Sequence, residues 1–193
     1  FRAVEGAEDD VHGAEQPLRE RNLTAGDVVV GIAASGVTPW VLGGLAFARR
    51  LGSQVILFSC SPTAAAQADV DVAIVPEVGP EVVTGSTRMK AGTATKLVLN
   101  MLTTASMVRL GKTYGNLMVD LQPTNAKLRN RMIRILSTLA DLDETTAQDR
   151  LEATDWDLKS ALVMELCDVD AASARQRLSE AGGRVKAAVT GAL

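Results

Sequence analysis

The segment EVVTGSTRMKAGTATKLVLN, residues 81 to 100, places a glycine-flanked, hydroxyl-rich turn and two basic side chains at the start of a long apolar helical stretch. Free amides, hydroxyls and the positive end of a helix dipole together favour an anion, so this is a candidate seat for a phosphorylated ligand. Its candidate contacts are Glu81, Ser86, Thr87 and Lys90. Ser86 or Thr87 is placed to cap the helix, and Glu81 lies just upstream, within reach of a sugar hydroxyl. The plainer reading is a capping turn with Arg88 and Lys90 in solvent. Those two side chains, two residues apart on a helix, point in different directions.

A second candidate loop is GIAASGVTPW, residues 31 to 40, where an apolar strand pattern gives way to a helical one. Ser35 and Thr38 offer hydroxyls to phosphate oxygens, and Gly36 lets a ligand approach the backbone closely. In open α/β sheets the crevice at the carboxyl ends of the strands is the usual binding place. An ordinary turn and cap would use the same residues. Near the start of the chain Glu5 and Glu8 stand three apart and share one face of a helix, so either is a candidate general acid or base. A solvated acidic face is the alternative, and the single histidine, His12, reads as a surface or structural residue. Asn116, Asp120, Asn125 and Lys127 fall in a polar interruption between helices, where the asparagines either bind a ligand or cap turns.

These loops need elements to hold them. Residues 3 to 20 read as a helix broken near Gly13 and Pro17, and residues 27 to 34 as a strand buried on both faces, because the apolar run leaves neither for water. Thr38 then caps a helix with Pro39 in its first position and Gly52 past its end. A strand over 54 to 59, a short helix over 62 to 68 and a strand over 70 to 75 continue the alternation, whose short spacing suits right-handed parallel crossovers. Residues 89 to 110 form the longest helix, apolar enough to lie between layers or subunits. Residues 111 to 119 read as an irregular link, and 124 to 139 as an amphipathic helix. The acidic run at 141 to 145 marks a boundary between a larger domain, 1 to 140, that carries the candidate loops, and a small domain of three helices, 141 to 193. Leu151, Trp156, Leu158, Leu162, Leu166 and Leu178 supply the core of the latter.

Composition narrows the function. With 193 residues, 47% of them hydrophobic, the chain can bury a core. Twenty Lys and Arg against 23 Asp and Glu leave a net charge of -3, with no basic block or aromatic platform for nucleic acid. Two distant cysteines, Cys60 and Cys167, suit reduced thiols and a cytoplasmic location, with Cys60 buried at the end of an apolar run. With one histidine and no cysteine cluster a zinc site is not expected, and no apolar run is long enough for a membrane span. The start, FRAVEGAEDD, lacks a methionine or signal-like segment and reads as the interior of a longer protein.

At EGAEDD, DVVVGIAASGVTPW, EVVTGSTRMKAGTATKLVLNMLTTASM and GKTYGNLMVD, taken in order, the chain closely resembles the N-acetylmuramic acid 6-phosphate etherase family of sugar-isomerase (SIS) type phosphosugar-binding proteins. The resemblance implies an α/β fold, a doubly wound parallel sheet flanked by helices and incomplete at the N-terminus, followed by a small helical domain. It implies cleavage of the D-lactyl ether by elimination and hydration, without cofactor or metal, in a cytoplasmic homodimer. Glu8 corresponds to one of two family glutamates and becomes the C2 base, and the other lies upstream of Phe1. Glu5, Ser35, Gly36, Thr38, Glu81, Ser86, Thr87 and Lys90 become substrate contacts. Val37 and Trp40 depart from the arginine and tyrosine common in the family. A non-catalytic phosphosugar-binding regulator or an SIS-type sugar-phosphate isomerase is the alternative.

Overall fold

The computed structural model describes residue 4 and residues 6 to 191, so Glu5 lies outside the described residues. The chain divides into two compact units, Phe1–Asn100 and Met101–Leu193.

The first unit begins with a 3₁₀ turn, Ala7–Asp9, and helix α1, Glu15–Glu20. Pro17 does not break α1 as expected. It occupies the first turn, where its missing N–H has no intrahelical acceptor to forfeit. Strands β1 (Val28–Ile32), β2 (Gln54–Phe58) and β3 (Val72–Ile74) form a parallel sheet in that order, with Val28 opposite Gln54 and Ile56 opposite Val72. Helices α2 (Pro39–Arg50) and α3 (Pro62–Gln67) make the crossovers. The fold is therefore the expected α/β class, with a parallel sheet flanked by helices and a helical region after it.

Burial falls on β2 rather than β1. Val55, Leu57 and Phe58 of the middle strand are fully buried, and Val55 and Leu57 join Leu45 and Ala48 of α2 in the core. The expectation that β1 is covered on both faces is corrected: Val28 is 53% exposed and Ile32 41%. β1 pairs with β2 alone among the described residues, and its residues line an apolar cleft with Leu18 of α1 and Trp40 and Val41 of α2. Trp40 is thus a cleft wall, its ring against Gly13.

Helix α4, Lys90–Arg109, follows a long loop and spans the division between the units. Ala91 is its one buried residue, while Leu97, Met101, Met107 and Val108 are exposed. The apolar face anticipated from the sequence is therefore largely uncovered, with only Val98 and Leu102 of it half-buried.

In the second unit, residues expected to be an irregular link form a hairpin, β4 (Thr113–Tyr114) with β5 (Leu117–Met118). Gly115 takes φ +58 at the first of two loop positions and Asn116 fills the second, so Asn116 serves a turn. Helices α5 (Ala126–Ala140), α6 (Glu144–Ala153), α7 (Leu158–Cys167), α8 (Ala171–Glu180) and α9 (Val185–Thr190) complete it. The expected trio after residue 141 is joined by α9, which the glycine pair at 182 and 183 had concealed. Asn125, Asp143, Asp157 and Asp170 each accept a backbone N–H in the first turn of α5, α6, α7 and α8.

Met132, Ile135 and Leu136 of α5 are buried with Leu151, Leu158, Leu162 and Leu178. The helix placed before the boundary at 141 thus packs into the core of the helices after it. Trp156 and Leu166, expected in that core, are only partly buried. Trp156 stands at φ +60 with the Arg129 guanidinium 5.0 Å from its ring centroid.

Candidate functional site

Loop 33–38, at the carboxyl end of β1, turns tightly where the Gly36 N–H donates to the Ala33 carbonyl at 2.9 Å. Gly36 holds φ +76, and a Cβ there would lie 2.7 Å from Ser59 Oγ and 2.8 Å from Ala64 Cβ. Glycine is therefore required on both backbone and packing grounds. Ser35 is exposed, and its Oγ lies 3.4 Å from the Val37 amide that donates to it. Thr38 begins α2 as expected, but through its carbonyl, which accepts from the Val41 and Leu42 amides. No side-chain cap bond forms, so the anticipated Thr38 hydroxyl cap is corrected and that hydroxyl remains available to a ligand.

Ser59, at the end of β2, was not singled out from the sequence. It is fully buried, accepts from the Ser61 amide at 3.0 Å and touches the space above Gly36. The only hint was a run of small hydroxyl residues after an apolar strand, a pattern common to ordinary turns. Cys60, next in line, is a half-buried free thiol rather than the buried one expected. Burial and the nearby Glu81 carboxylate push its pKa up, away from the reactive thiolate.

The loop before α4 holds Glu81, Ser86, Thr87 and Lys90. A turn closes where the Ser86 N–H donates to the Val83 carbonyl at 3.0 Å, with Gly85 at φ +82 inside it. Capping of α4 by Ser86 or Thr87 is corrected: Glu81 does this from further back. Its two carboxylate oxygens accept the Lys90 amide at 3.1 Å and the Ala91 amide at 3.0 Å. The amide bonds from Ala91 and Lys90 hold its pKa below the ordinary value against a smaller opposing effect of burial. The helix terminus that could have seated a free anion thus already holds one. Ser86 is half-buried, and Thr87 and the Lys90 side chain are exposed.

Contacts join Gly36 to Ser59, so the loops after β1 and β2 meet at the carboxyl edge of the sheet, and the Glu81 carboxylate that acts on the Cys60 thiol belongs to the loop after β3. Glu8 lies exposed in the 3₁₀ turn. Its segment is held to α2 at Gly43, where an added Cβ would fall 1.7 Å from the Val11 carbonyl oxygen. His12 is exposed, with Nδ1 3.2 Å from Glu15 Oε1, which agrees with a surface role. In the second unit Asp120 pairs with Lys112 and lies 3.9 Å from Lys159. Asn125 caps α5, its carbonyl accepting the Leu128 amide at 2.9 Å, while Lys127 lines a polar cleft between α5 and α6. Among the described residues no group of His, Cys, Asp and Glu is arranged to hold a metal, and no helix is long and apolar enough to cross a membrane.

A parallel sheet whose carboxyl edge carries glycine- and hydroxyl-bearing loops, followed by a helical region, is a partial fold of the SIS type. No family model matches the chain. Curated relatives do, and three of them are named N-acetylmuramic acid 6-phosphate etherase or etherase 2. The protein of Gloeobacter violaceus is 53% identical over 188 residues, 97% of this chain and 61% of its own length. The Vibrio parahaemolyticus etherase 2 is 50% identical over 189 residues, 98% of this chain and 63% of its own. The protein of Escherichia coli O139:H28 is 50% identical over 184 residues, 95% and 62% respectively. Over nearly all of its residues the chain is homologous to the N-acetylmuramic acid 6-phosphate etherases. It spans about three-fifths of the length of these relatives.

Proposed function

We propose that the whole protein cleaves the D-lactyl ether of N-acetylmuramic acid 6-phosphate, acting as a carbon–oxygen lyase. The observation that carries this reading is the 53% identity over 97% of the chain to a protein of that name. In the proposed reaction the Glu8 carboxylate takes the C2 proton. The C3–oxygen bond breaks, and a second carboxylic acid, which the family resemblance places upstream of Phe1, protonates the departing lactate oxygen. Water then adds across the C2–C3 double bond, with OH at C3 and H at C2, to give N-acetylglucosamine 6-phosphate.

Ser35, Gly36 and Thr38 receive the phosphosugar in this scheme, with Ser86, Thr87 and Lys90 on the neighbouring loop and Glu5, outside the described residues, as a further contact. The exposure of Ser35 and the uncommitted Thr38 hydroxyl support that assignment. Lys90 suits the role because its ammonium is exposed at the mouth of the loop. Of the domain limits 1 to 140 and 141 to 193, the first holds the whole ligand seat of this scheme, while α5, on that side of the boundary, packs with the helices beyond it. A cytoplasmic homodimer fits the free cysteines and the uncovered apolar residues of α4.

The test is D-lactate release from N-acetylmuramic acid 6-phosphate by the chain extended upstream. Glu8→Gln in that protein should retain binding and lose about 10²–10⁴-fold in turnover. Near-normal release by the variant removes Glu8 from the mechanism, and no release by the folded parent removes the etherase reading.

A further inference from the structure

We propose that Glu81 is a positioning residue for the phosphosugar site: it pins the loop that carries Ser86 and Thr87 to the first turn of α4 instead of contacting the sugar. This rests on the phosphosugar reading above and reassigns one residue of that site.

The geometry is two-pointed. One carboxylate oxygen takes the Lys90 amide and the other the Ala91 amide, so the side chain lies across the helix terminus like a clasp. Between the two ends of the clasp run residues 82 to 89. Their other restraints are slight: one turn bond from Ser86 to the Val83 carbonyl, one from the Arg88 amide to the Ser86 carbonyl, and one from the Thr93 amide of α4 to the carbonyl of Met89 at the end of the segment. Gly85 has nothing within 4 Å of where a Cβ would stand, and Val82, Val83 and Met89 are all largely exposed. A loop with so little packing takes its shape from its anchors, and Glu81 is the anchor that returns it to α4.

The clasp also decides where a phosphate does not go. Amides that would otherwise attract an anion at the start of α4 already face a carboxylate, and a second anion there would meet like charge. Ser86 and Thr87 are therefore presented by the loop as hydroxyl donors beside the site, and the helix terminus itself is closed to the ligand. The sequence pattern could not show this, because Glu81 lies nine residues before Lys90 and outside the spacing of an ordinary cap box.

The test compares parent, Glu81→Gln and Glu81→Ala. Amide hydrogen exchange on the ligand-free chain reads Lys90, Ala91 and residues 84 to 87, and calorimetry reads binding of N-acetylmuramic acid 6-phosphate. In the upstream-extended protein the alanine variant should raise KM at least 10-fold while kcat stays within about 3-fold, since Glu8 is untouched. Exchange should quicken at Lys90, Ala91 and the turn, and binding should weaken at least 10-fold. Glutamine, which keeps one acceptor oxygen, should fall between parent and alanine in each readout. Unchanged exchange in both variants overturns the clasp. Quicker exchange with unchanged affinity overturns its positioning role, and a collapse of kcat with constant KM makes Glu81 part of the chemistry instead. If the alanine variant does not fold, the glutamine variant alone decides by the same criteria. Failure of the parent to bind the phosphosugar would count against the functional reading, while the exchange data would still judge the clasp.

Discussion

Replacing Gly43 with alanine tests whether α2 holds in place the segment that carries Glu8, the proposed base. The new Cβ would stand 1.7 Å from the Val11 carbonyl oxygen and 2.7 Å from its carbon, and both are backbone atoms with no rotamer to yield. The segment must therefore retreat from α2 by roughly 1 Å or more before contact becomes tolerable. Overpacking of this kind costs about 1–3 kcal/mol. Alanine recovers part of that, because glycine is about 1 kcal/mol the poorer helix former. The remaining loss, up to about 2 kcal/mol, should lower Tm by up to several degrees in a unit of this size. The larger effect is expected in activity: Glu8 is three residues from Val11, and a displacement of about 1 Å in a reacting group costs on the order of 10²-fold. Gly44→Ala is the control, since its Cβ would meet side chains and no backbone, the Ala14 methyl at 2.9 Å and Leu18 Cδ1 at 3.8 Å, and should cost less on both counts. Thermal denaturation of the chain and D-lactate release by the upstream-extended protein read the two effects. Unchanged Tm and unchanged turnover in Gly43→Ala would refute the contact and the role given to it.

Leu162→Ala removes a fully buried side chain from the core of the second unit and should cost about 2–5 kcal/mol, read from urea unfolding. A loss below about 1 kcal/mol would show that the helices do not pack as described. Asp143 and Asp170 have pKa values held below the ordinary range by amide hydrogen bonds from Thr146 and Ser173 respectively. The unfolded chain therefore binds protons first on acidification, so the stability they contribute is present above about pH 4 and is lost as pH falls below it. A doubly substituted Asp143→Asn, Asp170→Asn chain should lose less stability than the parent between pH 6 and pH 3; an equally steep acid limb would contradict the capping assignment. Sedimentation at micromolar concentration should show a dimer, given the uncovered Leu97 and Met101 of α4. A single 20.3 kDa species would argue against pairing by this chain.

What local pattern determined by itself was considerable. The alternation of short apolar runs with helical stretches specified parallel strands with helical crossovers, because strand and helix periods differ and a short connection leaves few alternatives. Asp157 and Asp170 mark the starts of their helices in the sequence itself, since a carboxylate that accepts first-turn amides does so within three residues of its own position. The hydroxyls of Ser35 and Thr38 and the glycine between them were legible for the same reason: they belong to one turn.

Tertiary structure decided whatever depended on partners distant in the chain. An apolar run reads alike whether its strand lies in the middle of a sheet or at the edge of the described one, so only the pairing separated buried Val55 and Leu57 from exposed Val28 and Ile32. Likewise α5 has one apolar stripe that suits either neighbour, and packing alone placed Met132 and Leu136 with α6 and α7. Glu81 resembled a free ligand contact until the fold returned the start of α4 to its carboxylate. Ser59 gained meaning only when β1 and β2 paired in register and brought it under Gly36. A side chain's commitments depend on which groups surround it in space, and that arrangement exists only once the chain has folded.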